Sequence, residues 1–231
     1  MMAVPLDCTA LDAVIIDLDG TMVDTLGDFA QALNLMLDDV ALPHIDPPAI
    51  AHMVGKGSEH LLNLVLNHAL AQAGHALSAI EIEALYARAW PSYQRHYLRI
   101  NGQFASVYPG VPEGLQALRD AGLRLACLTN KPLPFALALL RAKGLDGFFA
   151  HIFGGDSFEK KKPDPLPLLK TCQALGTLPA RTLMVGDSSN DAQAARAAGC
   201  PVVLTTYGYN HGQPVRSVDA DGWIDSLAEL L

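Results

Sequence analysis

A doubly wound parallel α/β sheet (Rossmann-like) with an all-helical unit inserted into it is the fold class that the sequence predicts, on three observations. Short apolar runs alternate with amphipathic stretches through residues 101–231. A glycine closes four of those amphipathic stretches in the same relative place. Between the first apolar run and the second, residues 25–100 contain no convincing strand.

The first run opens the stretch "AVIIDLDGTMVDT" at residues 13–25. Val14, Ile15 and Ile16 are all apolar, so alternation cannot account for them. A strand over 13–18 buried on both faces, as in a parallel sheet, can. It delivers Asp17 and Asp19 two residues apart, and Gly20 then lets the chain turn away sharply. Asp24 follows. Further strands are expected over 123–128, 150–153, 182–185 and 201–204, and helices over 112–121, 133–143, 166–175 and 191–198. Gly122, Gly144, Gly176 and Gly199 each follow one of these helices, where a left-handed cap wants glycine. Strand and helix in alternation give a parallel sheet covered by helices.

Residues 23–100 form the inserted cap, and residues 1–22 and 101–231 the core that carries it. Amphipathic periodicity predicts cap helices over 28–40, 58–73 and 78–100. Ser78 and Glu81 have the spacing of a capping box. Pro91 should kink or divide the last helix. The two crossings, near 21–24 and 101–107, are candidate hinges.

Half of the 231 residues are hydrophobic, ample for a core of this size. The formal charge is −8, and no run of basic residues exceeds Lys160-Lys161-Lys162. An acidic surface repels nucleic-acid phosphates, so no nucleic-acid partner is expected. Cys8, Cys127, Cys172 and Cys200 lie far apart beside apolar stretches and read as small buried hydrophobes. The start, "MMAVPLDCTALD", lacks the basic and apolar regions of a secretory leader. No apolar run approaches the roughly 20 residues that span a bilayer. The expectation is a soluble, cytoplasmic protein with no membrane partner.

In an open parallel sheet, ligands bind at the carboxyl ends of the strands. Asp17 and Asp19 lie at the end of the first strand, and Thr129, Asn130 and Lys131 ("CLTNK") at the end of the second. Lys162 follows the third in "KKKPDP", while Asp187 ends the fourth in "MVGDSSND", four residues before Asp191. Taken singly, Thr129, Ser189 and Asp191 could merely cap helices, and Lys162 could be a solvated loop charge. Taken together, carboxylates at one rim repel. Two unit charges about 4 Å apart cost on the order of 4 kcal/mol at an effective dielectric near 20. A hard cation with room for water would hold them, which suits Mg²⁺.

"DLDGTMVDT", "LTNKP", "KKKPDP" and "GDSSND", in this order, resemble the four motifs of the haloacid dehalogenase-like hydrolase superfamily, over almost the whole chain. The resemblance implies a doubly wound core with a helical cap after the first motif. It implies Asp17 as nucleophile, forming an aspartyl-phosphate, and Asp19 as the acid that protonates the leaving oxygen and then the base for water. Thr129 and Asn130 would hold phosphoryl oxygens, and Lys162 would neutralise charge. Asp17, the backbone carbonyl of Asp19, and Asp187 would ligate Mg²⁺, with Asp191 behind them. Dehalogenases of this superfamily lack the second aspartate, so Asp19 points to phosphoryl transfer.

In the cap, "MVGKGSEHLL" sets Gly55 and Gly57 around Lys56, just before a helix that starts at Ser58. Amides at a helix start plus an ammonium suit an anion, such as a second charged group on the substrate. A plain helix-to-helix turn is the other reading of this loop. "VGKGSEHLL", "YPGV", "LTNKPLPF", "FGGDSFEKKKPDPLPLL", "GDSSNDAQAARAAGC" and "TYGYNHG" resemble, at finer grain, the bacterial phosphoglycolate phosphatases. That likeness implies a small-molecule substrate, 2-phosphoglycolate, hydrolysed to glycolate. The "TYGYNHG" stretch at 206–212 lies near the rim and reads as a substrate-side loop. His52, His60 and His68, eight residues apart, are solvated helix positions rather than metal ligands. A sugar phosphomutase and a non-catalytic binding protein on the same scaffold are the alternatives.

Overall fold

The computed structural model describes residues 10–230. In chain order its main elements are β1 (Ala13–Ile16), β2 (Val23–Asp24), α1 (Leu26–Asp39), α2 (Pro47–Ala51), α3 (Ser58–Gln72), α4 (Ala79–Ile100) and β3 (Ser106–Val107). There follow α5 (Val111–Asp120), β4 (Arg124–Leu128), α6 (Leu133–Ala142) and β5 (His151–Phe153). The chain closes with α7 (Leu166–Leu175), β6 (Thr182–Gly186), α8 (Ser189–Ala198), β7 (Val202–Thr205) and β8 (Gly222–Ile224).

Six strands form one parallel sheet in the order β5-β4-β1-β6-β7-β8. β1 sits between β4 and β6, with Ile16 opposite both Cys127 and Val185. From β1 the chain winds outward through β4 and β5, then returns to β6 on the other side. The carboxyl ends of β4, β1 and β6 therefore flank a topological switch point, where such sheets open a crevice.

Alternate residues of the central strands feed two apolar layers. Val14, Ile16, Leu125 and Val185 pack with Leu115 of α5 and Leu139 of α6. Ala13, Ile15, Ala126 and Met184 pack with Leu168 of α7 and Ala195 of α8. Gly176 and Gly199 cap α7 and α8 in the left-handed conformation, and Gly122 and Gly144 also have positive φ, as the sequence predicts. The strand expected over 13–18 stops at Ile16. The Leu18 carbonyl instead accepts hydrogen bonds from the Met22 and Val23 amides (both 3.0 Å), closing a tight turn.

Helices α1, α3 and α4 enclose an apolar cluster of their own, built on Phe29, Leu33, Leu62, Val65, Tyr93 and Tyr97. Ser78 and Glu81 form the expected capping box at the start of α4. Pro91 does not divide this helix, which runs unbroken from Ala79 to Ile100. An interior proline costs roughly 3 kcal/mol. Pro91 stands on the exposed face, while Tyr93 and Tyr97 are buried. Burying a large apolar side chain contributes about 1.5–3 kcal/mol, and α4 also buries Leu85 and Ile100, so its packing offsets the proline.

The two crossings between cap and sheet pair with each other, which the sequence did not reveal. β2 and β3 form a two-residue antiparallel ladder, Val23 with Val107 and Asp24 with Ser106. Buried Asp28, in the first turn of α1, accepts hydrogen bonds from the Gly102 amide (2.6 Å) and the Phe104 amide (2.8 Å). β8 was likewise not expected. Cys127, Cys172 and Cys200 are free and buried, whereas Cys8 lies outside the described residues. Among the described residues no helix is long and apolar enough to cross a membrane.

Candidate active site

A pocket lies over the carboxyl ends of β1, β4 and β6, roofed by the cap. Asp17, Asp19, Thr129, Asn130, Lys162, Asp187 and Asp191 all line it, so seven residues singled out from the sequence are brought together.

Asp17 is the first residue after β1, and its amide still donates to the Val185 carbonyl (2.9 Å). This fixes the backbone while the carboxylate faces the pocket. Its Oδ1 lies 3.0 Å from Lys162 Nζ. Lys162 also donates to Asp191 Oδ1 (2.7 Å) and to the Leu128 carbonyl (2.9 Å), so three oxygens surround its ammonium. Burial alone would lower the Lys162 pKa, but Asp17 and Asp191 outweigh it and raise the value above the usual lysine range. Burial pushes Asp17 up to about 7, with Lys162 pulling against it and the Asp191 and Asp19 charges adding to it. Asp187 is raised well above the ordinary carboxylate range, by burial first and then by Asp191 and Asp17.

Asp191 stands at the start of α8, where it forms a capping box with Ser188. Its Oδ2 accepts from the Ser188 hydroxyl (2.8 Å) and from the Ser188 (3.2 Å) and Asp187 (3.3 Å) amides. Both of its oxygens are therefore spent inside the protein. Asp187 Oδ2 accepts from the Tyr209 amide (2.7 Å). Glycines surround this carboxylate because nothing larger fits: a Cβ at Gly20 or at Gly208 would overlap Asp187. Gly20 also has a φ of +82°, which makes the sharp turn after the two aspartates.

Asp17, Asp187 and Asp191 each place one carboxylate oxygen within 4.8 Å of the others, and all three are buried. An all-oxygen, strongly anionic cluster of this kind fits a hard divalent cation such as Mg²⁺. The repulsion among them adds to the burial that raises Asp17 and Asp187.

Thr129 is buried at the end of β4, and its Oγ1 accepts from the Lys131 amide (3.1 Å), leaving the hydroxyl proton to donate. The Asn130 side chain is engaged otherwise than expected. Its Oδ1 accepts from the Lys162 amide (3.0 Å), and its Nδ2 donates to the carbonyls of Lys162 (2.9 Å) and of Gly55 in the cap (3.3 Å). It clasps the lysine loop and the cap together, rather than offering a free amide to a phosphoryl oxygen.

Asp19 Oδ1 accepts from the Thr25 hydroxyl and from Lys131 Nζ, each at 2.8 Å. The cap brings Phe29, Val54, Gly55, Gly57, Ser58 and Leu61 to the pocket wall. Lys56 does not line the pocket: it is exposed, and the loop turns its backbone inward instead. The Gly55 carbonyl accepts from Asn190 Nδ2 (3.1 Å) as well as from Asn130, docking the loop on the core. The 206–212 stretch reaches the site through Tyr209 and Asn210. The Tyr209 hydroxyl accepts from the Thr25 amide (2.8 Å) and donates to Asp24 Oδ1 (2.7 Å), tying that loop to the start of α1. His52 and His60 are exposed, and none of His52, His60 and His68 belongs to the metal-competent cluster. Lys131, Asn190 and Tyr209 are the site residues to which the sequence assigned no role. Lys131 was legible as part of "LTNKP"; Asn190 and Tyr209 sat beside recognised motifs with nothing to show their contacts.

The family described as haloacid dehalogenase-like hydrolase matches residues 11–199. The chain belongs to that family. Among similar members, the phosphoglycolate phosphatase of Thiobacillus denitrificans is 44% identical over 219 residues, covering 95% of this chain and 93% of that one. A plasmid-borne phosphoglycolate phosphatase of Cupriavidus necator is 42% identical over 230 residues, covering 100% of this chain and 94% of the relative. The crystal structure of a predicted phosphoglycolate phosphatase from Haemophilus somnus superposes with a TM-score of 0.90 at 34% identity, covering 96% of each chain. The parallel sheet and the carboxylate rim are thus those of a haloacid dehalogenase-like hydrolase, and the protein is an enzyme.

Proposed function

We propose that this hydrolase is a Mg²⁺-dependent phosphatase that converts 2-phosphoglycolate to glycolate and inorganic phosphate through an aspartyl-phosphate on Asp17. The observation that carries the mechanism is the pairing at the end of β1: Asp17 paired at 3.0 Å with a buried lysine, with Asp19 two residues on and lining the same pocket. Relatives that share 42–44% of their residues over nearly the whole chain are phosphoglycolate phosphatases, which supports the substrate.

In the first step an Asp17 oxygen attacks phosphorus and the bond to the ester oxygen breaks. Asp19 gives its proton to that oxygen, so the leaving group departs as an alcohol. In the second step Asp19 takes a proton from water, whose oxygen attacks the same phosphorus and frees Asp17 and phosphate. Lys162 holds Asp17 in place and offsets charge beside the phosphoryl group. The Thr129 hydroxyl donates to a phosphoryl oxygen. Asp17, the Asp19 carbonyl and Asp187 would hold Mg²⁺, with Asp191 fixing Lys162 and the Asp187 backbone. The cation supplies positive charge against the phosphoryl oxygens. Asn130, Gly55 and Gly57 shape the wall that closes over the substrate, and Lys56 stands outside it.

The test is phosphate release from a panel of 2-phosphoglycolate, 3-phosphoglycerate, sugar phosphates and ethyl phosphate, with Mg²⁺ and with EDTA. Phosphoglycolate should be turned over best and chelation should abolish it. Failure to hydrolyse phosphoglycolate, or isomerisation of a sugar phosphate without phosphate release, would refute the substrate.

A further inference from the structure

The reaction described above leaves one buried cation in the pocket without a task. The Lys131 side chain is only 1% exposed, and its ammonium lies 2.8 Å from Asp19 Oδ1. The rings of Phe29 on α1 and Tyr97 on α4 cover it, with centroids 4.6 and 4.8 Å from Nζ. Burying an ammonium is costly unless its charge is met. Here the charge is met by one carboxylate oxygen, already shared with the Thr25 hydroxyl, and by two ring faces. A ring face balances charge without using a directed bond to oxygen. Of the two lysines that line the pocket, Lys162 donates two hydrogen bonds and is paired with Asp17 besides, whereas Lys131 donates one. Its seat is built jointly: the lysine comes from the end of β4, the two rings from the cap.

We propose that Lys131 binds a carboxylate of the substrate and thereby selects phosphate esters of 2-hydroxy acids, an inference that rests on the phosphatase reading of this site. Asp19 serves the ester oxygen. In such an ester the carboxylate is bonded to the carbon that bears that oxygen, so its own oxygens lie roughly 3 Å away from it. An ammonium in contact with the acid that meets the ester oxygen is therefore placed to meet the carboxylate. An ester whose carboxylate is one carbon farther along loses this register, and a neutral alkyl ester offers nothing to bind. The charge balance points the same way. Asp17, Asp19, Asp187 and Asp191 line the pocket that would take the phosphate, and a further anion there would be repelled without a cation of its own. Ser58, on the first turn of α3, lines the same wall and adds the positive end of a fifteen-residue helix.

The experiment compares kcat and KM of the wild type, Lys131→Met and Lys131→Arg on 2-phosphoglycolate and on ethyl phosphate, which keeps an alkoxide leaving group but has no carboxylate. Lys131→Met should lower kcat/KM for phosphoglycolate roughly 10- to 100-fold more than for ethyl phosphate, the excess appearing mainly in KM. Lys131→Arg should restore part of the preference, because it restores the charge. Equal proportional losses on the two substrates in both variants would overturn the proposal and make Lys131 a support for Asp19. Unchanged preference for phosphoglycolate in Lys131→Met would overturn it as well. A wild type with no preference for phosphoglycolate over ethyl phosphate would instead sink the substrate reading beneath it.

Discussion

At the sheet rim, Lys162 is tied to Leu128, Asp191 and Asp17, and Asp191 to Lys162 and the Ser188 turn, so each polar group is held from several sides. The cap wall of the same pocket offers apolar side chains and glycine backbone, and its loop is docked by two asparagine amides on one carbonyl. The rim is built from short parallel strands locked in register, whereas the cap joins the sheet through a two-residue ladder and the Asp28 clasp. Groups that must meet phosphorus within tenths of an ångström sit where the backbone is best fixed. The cap supplies the opposite wall of the pocket. Between the two, Lys131 is rooted in the rim and seated by cap aromatics.

The contrast predicts that damage to the rim carboxylates removes the chemistry, while loss of Lys131, seated between rim and cap, changes its selectivity. The largest loss is expected from Asp187→Ala. Activity should fall to roughly a thousandth or less, and Mg²⁺ should no longer raise the melting temperature. For the wild type, saturation at a hundred times Kd contributes about 2.7 kcal/mol, several degrees for a chain of this length. A variant that Mg²⁺ still activates and stabilises fully would remove Asp187 from the metal site.

Asp19→Asn should come next, and its effect should depend on the leaving group. Proton donation contributes about 10²–10⁴-fold for an alkoxide and far less for nitrophenolate, which leaves readily unaided. Pre-steady-state release of the leaving group from phosphoglycolate and from p-nitrophenyl phosphate isolates the first step. Equal losses on the two would make Asp19 a positional residue.

The smallest effect belongs to the cap. Lys56 is exposed and turned away from the pocket wall. Lys56→Ala should change KM for phosphoglycolate by no more than about threefold, as for an ordinary surface charge. A tenfold rise would mean that the loop swings Lys56 inward on binding, and would move the selecting cation from the rim to the cap.

The fold was legible where local chemistry repeats. Short apolar runs marked the buried parallel strands, and the glycine after each of the four core helices marked its end. β8 escaped because it is only three residues, Gly222–Ile224, opening on a glycine and bordered by Asp221 and Asp225. The β2–β3 ladder escaped because two-residue strands carry no periodicity. Pro91 misled because its backbone cost is local, whereas the aromatic packing that offsets it is tertiary. In the site, the motif residues announced themselves by type and order. Their partners did not: Phe29 and Tyr97 lie far from Lys131 in the chain, and the Asn130 clasp on Lys162 depends on two loops meeting across the rim.

The claim on which everything else depends is that Asp17 takes the phosphoryl group. Rapid acid quench of enzyme turning over ³²P-labelled phosphoglycolate, followed by proteolysis and mapping of the label, tests it directly. The account predicts label on the Asp17 carboxylate, labile to hydroxylamine and absent from Asp17→Asn, whose turnover should fall below roughly a hundredth of wild type. Label on another residue, or full turnover by Asp17→Asn, would contradict it.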